Sequence, residues 1–252
     1  MINGSPHPRG CTYMALHEME QVLQAAGAET QILTVGAEQV GGCAACGGCN
    51  ATGRCVRGGL VNDAIDAMET ADALVLASPV HYAGTSGAMS AFCDRLFYAG
   101  GSWANKPCAC VVSARRAGTT AALDQLVKYP MISNMPVVSS QYWPMVHGAR
   151  PEDVAQDEEG LQTMRQLARN LLWLLQCIAA GDAAGVPRPE TEARKFTNFI
   201  RRSAAGSQKE PPQAVPVGAL LLVMCGAFSR AFSRGACRSC ARQSGTGRSS
   251  RE

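Results

Sequence analysis

The pentapeptide Ala73-Leu74-Val75-Leu76-Ala77 is apolar at every position. A strand without a polar face is one buried on both sides, and such strands belong to parallel sheets covered by helices. The rest of the chain keeps the matching rhythm. Strand-like stretches at residues 1–3, 30–35, 73–77, 108–112 and 136–140 alternate with helix-patterned runs at 12–26, 61–69, 86–97, 119–128 and 161–180. In the first of these helices Leu16, Met19, Leu23 and Ala26 fall on one face, and Gly27 is the stop signal. In the helix at 86–97 the inward set is Met89, Phe92, Cys93 and Leu96. The alternation predicts an α/β fold, a doubly wound five-stranded parallel sheet with helices on both faces.

In such a sheet ligands bind at the carboxyl ends of the strands. Two segments there carry the chemistry. Gly4-Ser5-Pro6-His7-Pro8-Arg9-Gly10-Cys11-Thr12 leads from the first strand into the first helix. Its glycines permit a tight turn, Ser5 and Thr12 offer hydroxyls, and the helix amino terminus behind them suits a dianion. The ordinary alternative is a plain Gly/Pro/Ser turn. Ser78-Pro79-Val80-His81-Tyr82 leaves the third strand and is built to hold something flat. A phosphate beside a planar group points to a flavin mononucleotide. There is no GxxxxGK[ST] run and no GxGxxG after the first strand, which argues against a nucleoside triphosphate P-loop and a dinucleotide site. No Gly-x-Ser-x-Gly elbow supports a hydrolase. His17 and His147 have no partner at metal spacing and read as ordinary surface or packing residues, and the acidic run at 152–159 reads as a solvated helix face.

Cysteine usage sets the compartment. Twelve cysteines follow an amino terminus with no basic-then-apolar leader, so a reducing, cytoplasmic setting is expected. The net charge of +3 comes from residues 211–252, with six Arg against one Glu. The remaining chain is slightly acidic, which predicts neither a nucleic acid nor a membrane partner.

Cys43, Cys46, Cys49 and Cys55 are spaced C-x2-C-x2-C-x5-C in a glycine-rich loop. Short spacers let successive sulfurs point at one centre. A third closely spaced cysteine favours an iron–sulfur cluster over zinc, and free thiols remain the third reading. The loop follows the second strand, a position from which it can project from the crevice edge toward a neighbouring subunit's site.

Four segments in this order resemble the flavodoxin-fold NAD(P)H-dependent FMN reductases, iron–sulfur flavoprotein branch. They are Asn3-Gly4-Ser5-Pro6, Gly10-Cys11-Thr12, the cysteine loop from Cys43 to Cys55, and Ser78-Pro79-Val80-His81-Tyr82 running on to Phe92-Cys93-Asp94-Arg95. The resemblance implies strand order 2-1-3-4-5 and FMN at the strand ends. It places Ser5, His7, Gly10, Cys11 and Thr12 around the FMN phosphate, and Pro79, Val80, His81 and Tyr82 beside the ribityl chain and ring. It places Ser113, Ala114, Arg115, Arg116, Gly118 and Thr119 at the ring's polar edge, with one of the two arginines expected to be merely solvated. Asp94 and Arg95 read as a structural helix pair. Cys43, Cys46, Cys49 and Cys55 are the implied ligands of a 4Fe–4S cluster.

The implied activity is hydride transfer from NAD(P)H to FMN and on to a quinone, flavin or other small acceptor. Two other functions stay open: an electron carrier fed by ferredoxin, and a flavin-binding module without turnover. A homodimer or homotetramer is implied. Two features depart from the family pattern. Only three residues precede Gly4, where a full first strand is expected, so a misassigned start is the simplest explanation. Residues 1–202 read as the FMN-binding domain, and 203–252 as a disordered or non-native tail, with an apolar stretch at 217–228 too short to span a membrane.

Overall fold

The computed structural model describes residues 1–101, 103–193 and 195. Met1–Thr191 forms a compact unit. The boundary expected at residue 202 and the tail that follows it lie outside the described residues.

The strands are β1 (Ile2–Asn3), β2 (Leu33–Thr34), β3 (Leu74–His81), β4 (Gly84–Thr85), β5 (Cys108–Ala114) and β6 (Met145–His147). The helices are α1 (Cys11–Ala25), α2 (Leu60–Thr70), α3 (Gly87–Ala99), α4 (Thr119–Ile132), α5 (Pro151–Val154) and α6 (Glu158–Ala183). The sheet order is β2-β1-β3-β5-β6, all parallel, and β4 folds back antiparallel on β3. With β4 set aside, this is the expected 2-1-3-4-5. One face is packed by α2, α3 and α4 through Met68, Phe92, Leu96 and Leu126. The other is packed by α1 and α6 through Leu16, Met19, Met164 and Leu167. Leu74, Leu76, Cys108 and Cys110 reach the first face, and Val75, Ala77, Ala109 and Val111 the second. The two-sided burial read from 73–77 is thus realised.

Three sequence expectations are corrected. Ala26 is exposed and caps α1 rather than packing inward. The acidic run contains caps as well as solvent-facing residues: Asp157 accepts from the backbone N–H groups of His147 (2.6 Å) and Gly160 (3.0 Å), and Asp153 from those of Ala149 and Arg150. The fifth strand does not run through 136–140. Val137 makes only an isolated bridge to Cys108, the ladder is then broken by a bulge, and pairing resumes at β6 opposite Val112–Ala114. Pro136 and Pro144 bracket the bulge, and neither donates to a ladder. Each instead accepts, from Cys108 N at 2.8 Å and Val112 N at 3.0 Å.

A cavity of about 580 Å³, lined by Met1, Ile2, Leu23, Leu33, Leu74 and Leu171 among others, lies beneath the amino ends of the central strands. It is at the opposite end of the sheet from the ligand loops. The Met1 ammonium donates to Gln31 O at 2.6 Å beside it. Among the described residues no helix is long and apolar enough to cross a membrane.

Candidate functional site

The strand order reverses direction between β1 and β3, and the loops leaving these strands define the crevice. The first loop is fixed by backbone and buried hydroxyls. Gly4 N donates to Ala77 O at 2.8 Å, and Ser86 Oγ donates to Gly4 O at 2.7 Å. Ser5 N donates to Asn3 Oδ1, and Ser5 Oγ accepts from His7 N, both at 3.1 Å. Gly10 N closes the turn on His7 O at 3.0 Å. A β-carbon on Gly10 would stand 2.9 Å from that of His7, so the turn leaves no room for a side chain.

Helix α1 starts directly after this turn, with Gly10 as its N-cap and no capping side chain among the described residues. An uncapped helix start leaves first-turn N–H groups unpaired and the positive dipole end bare. With Ser5 and Thr12 buried beside it, the donor set fits a phosphate ester. Burial, helped by Asp153 and Glu152, pushes the Cys11 thiol up, so it stays protonated and donates to Gly148 O at 3.4 Å.

The second loop is a hairpin. Val80 pairs with Thr85 and His81 with Gly84. The two tip residues, Tyr82 and Ala83, have φ of 50° and 60°. Two left-handed residues at a hairpin tip are normally Asn or Gly, so a Tyr and an Ala there are held under strain by their surroundings. Ser78 Oγ accepts from Ser86 N at 2.9 Å, Gln125 Oε1 accepts from Thr85 N at 3.0 Å, and Thr85 and Ser90 share a 2.6 Å hydroxyl pair. Tyr82 projects fully into solvent, and His81 is also exposed.

The third loop meets the second at Gly118, the N-cap of α4 at φ +87°, where a β-carbon would stand 2.9 Å from Ala83 Cα. Ser113 and Thr119 are buried. Arg115 and Arg116 are both exposed, without a hydrogen bond or ion pair among the described residues. Thr12 and Ser113 join the first loop to the third.

Sequence reasoning missed a fourth loop. His147 ends β6 in register with Ala114, and Gly148 follows, its carbonyl beside Cys11. The signal was Met145-Val146-His147, a strand too short to stand out from the loop around it. Gly36 was missed as well: a β-carbon there would overlap the carbonyl of Ser5.

The four cysteines line a second, separate pocket with Arg95 and Tyr98. Cys43 and Cys46 are exposed, Cys49 and Cys55 half-buried. Cys49 Sγ donates to Tyr98 O at 3.6 Å, and Asn62 clasps the Cys55 backbone by both its N–H and its carbonyl. Burial pushes the Cys55 thiol up, but hydrogen bonding from the Arg57 backbone and the Arg95 guanidinium outweighs it, leaving the thiol below its ordinary value.

Among the described residues no three His, Cys, Asp or Glu side chains converge as on a single metal ion. The pocket lined by the four thiols together with Val56, Arg57, Arg95 and Tyr98 holds about 30 Å³. Ala45, within the Cys43–Cys46 arm, and Gly47, just after it, are both left-handed. Four thiols facing one pocket beside a cation are the right donor set for an iron–sulfur group. The cysteine end of the loop lies against α3, where Cys49 meets Tyr98 and Cys55 meets Arg95, and Arg95 is about 13 Å along that helix from its Ser86 N-cap. Asp94 and Arg95 are not a pair: Asp94 accepts from Tyr129 Oη at 2.6 Å, while Arg95 turns to the cysteine loop.

The sequence pattern of the NADPH-dependent FMN reductase family matches residues 1–150. An iron–sulfur flavoprotein of Methanocaldococcus jannaschii is 27% identical over 187 residues, 70% of this chain and 96% of that one. Among solved structures, RosB with a bound formylated riboflavin phosphate superposes with TM-score 0.57 at 14% identity, covering 86% of this chain and 97% of the other. A flavone reductase superposes with TM-score 0.54 at 14% identity, over 71% and 62%.

Proposed function

The chain belongs to the NADPH-dependent FMN reductase family and is a flavin-dependent oxidoreductase, and from that premise we propose that it takes electrons from NAD(P)H and delivers them to a small acceptor such as a quinone or a free flavin. The observation that carries the reading is the uncapped start of α1 facing buried Ser5, Thr12 and Ser113 at the switch point between β1 and β3.

FMN, when bound, supplies the two-electron chemistry that accepts hydride from a reduced nicotinamide. The residues of the chain do the holding. First-turn N–H groups of α1, with the hydroxyls of Ser5 and Thr12 and the turn of His7, Gly10 and Cys11, bind the phosphate. Pro79, Val80, His81 and Tyr82 form the wall along the ribityl chain and ring. Ser113, Ala114, Gly118 and Thr119 close the polar edge, where Arg115 or Arg116 places a cation beside the charge that develops on reduction. No side-chain acid or base is needed, so no catalytic residue is assigned. Steady-state oxidation of NADH and NADPH by FMN-loaded protein tests the reading. Tight FMN binding without oxidation of either nucleotide would refute it.

A second reading, an iron–sulfur flavoprotein fed by a ferredoxin-type donor, is favoured by the pocket shared by Cys43, Cys46, Cys49 and Cys55. These cysteines would hold a 4Fe–4S cluster, which would supply single-electron transfer. The absorption spectrum of anaerobic protein separates the readings, since a broad shoulder beyond the flavin bands requires iron. Because the cysteine pocket lies away from the crevice of its own chain, we also propose a homodimer or homotetramer, testable by light scattering.

A further inference from the structure

Arg95 is 7% exposed in the middle of α3. No carboxylate pairs with it among the described residues. Its Nε donates to Cys55 Sγ at 3.2 Å and its Nη2 to Gly58 O at 2.7 Å. A guanidinium that is nearly dry and has no carboxylate partner carries a large desolvation cost, and one sulfur acceptor is too weak to offset it. A carbonyl alone does not neutralise it either. The same side chain lines the pocket onto which all four cysteines open. The cation is therefore aimed where the fold expects negative charge.

We propose that Arg95 is a positioning residue of the cysteine pocket: it pins Cys55 to α3 and sets the reduction potential of the cluster held by Cys43, Cys46, Cys49 and Cys55. The inference rests on the iron–sulfur reading above. An iron–sulfur core held by four thiolates is an anion, and one-electron reduction makes it more negative. A fixed cation hydrogen-bonded to one ligand sulfur favours the reduced form, so it raises the potential. The forked geometry matters separately. One arm holds the sulfur while the other holds the Gly58 carbonyl three residues on, closing the loop against the helix.

The test uses the full chain, purified anaerobically, as wild type, Arg95→Gln and Arg95→Lys. Three quantities are read: flavin content, the potential of the iron–sulfur signal in a paramagnetic-resonance titration, and the rate of iron release to a chelator. Arg95→Gln should shift the potential downward and release iron severalfold faster, with flavin content unchanged because the crevice is at the other end of α3. Arg95→Lys keeps the charge and loses the fork, so its potential should stay near that of wild type while iron release quickens. A Gln variant with the wild-type potential, or a Lys variant with the wild-type release rate, would overturn the inference. Should the Gln variant not fold, the Lys release rate decides alone. Flavin-replete wild type that takes up no iron would instead remove the iron–sulfur reading, and Arg95's role with it, before any variant is made.

Discussion

Thr12 Oγ1 and Ser113 Oγ lie 2.7 Å apart, both buried. One belongs to the first turn of α1 and the other to β5, two positions that are 101 residues apart in sequence. Their contact ties the phosphate-type turn to the loop carrying Arg115 and Arg116. Either hydroxyl can donate, so the pair can turn one proton toward an incoming anion while staying bonded to each other.

Replacing Thr12 with Val removes that tie and leaves Ser113 unsatisfied, at a cost of about 1–3 kcal/mol. Adding Ser5→Ala frees the His7 N–H and loosens the turn. The double variant should bind FMN at least about tenfold more weakly, since hydrogen bonds to a charged group are worth about 1.5–3 kcal/mol each. A fluorescence titration with FMN checks this. Unchanged affinity would put the phosphate elsewhere.

Gly36, two residues beyond β2, packs against the phosphate-type turn, and its amide donates to Asn3 O at 3.3 Å. Gly36→Ala must push the backbone of Ser5 aside. The overpacking should cost about 1–3 kcal/mol in urea unfolding and weaken FMN binding as well. Gly87→Ala is the control. Nothing stands within 4 Å of a β-carbon there, at the first residue of α3, so it should be neutral or slightly stabilising.

The legible part of the molecule was the part whose cause is local. Apolar runs announce β3 and β5 because both faces of those strands are buried. The periodicity of 86–97 announces α3, and Ser86 does cap it, accepting from Met89 N at 3.2 Å. What stayed hidden depends on distant residues. Gly36 matters because Ser5 approaches it from another strand, and Arg95 because a loop some 40 positions away folds onto it. The bulge before β6 was unreadable because 136–140 has strand propensity, and only pairing with β5 reveals where the ladder breaks. The place of His147 at the end of β6 was hidden for the same reason.

Cys46→Ser and Cys49→Ser should each abolish the absorption shoulder beyond the flavin bands while leaving flavin content at the wild-type level. Cys177→Ser, exposed on α6 and outside the cysteine pocket, should change neither. An anaerobic spectrum of the three variants checks this. A shoulder that survives in both pocket variants would mean the iron is held elsewhere.

Burial lowers the Met1 ammonium from its ordinary 8.0 to about 6, against smaller opposing effects from Cys108 and Glu20. The sign of the pH dependence follows. Between about pH 6 and 8 the unfolded chain holds a proton on this amine that the folded chain has largely released. Stability should therefore rise with pH across that window, by up to about 2–3 kcal/mol, and this contribution should be flat below and above it. Other groups titrate too, so the informative quantity is a difference. Placing two or three apolar β-branched residues ahead of Met1 would move the charge out of the cavity and continue β1 between β2 and β3, burying side chains worth about 1.5–3 kcal/mol each. The extended chain should melt at a higher temperature and lose the pH 6–8 rise that the original shows. Equal pH profiles for the two chains in urea unfolding would mean that the amine is solvated and the cavity does not control its charge.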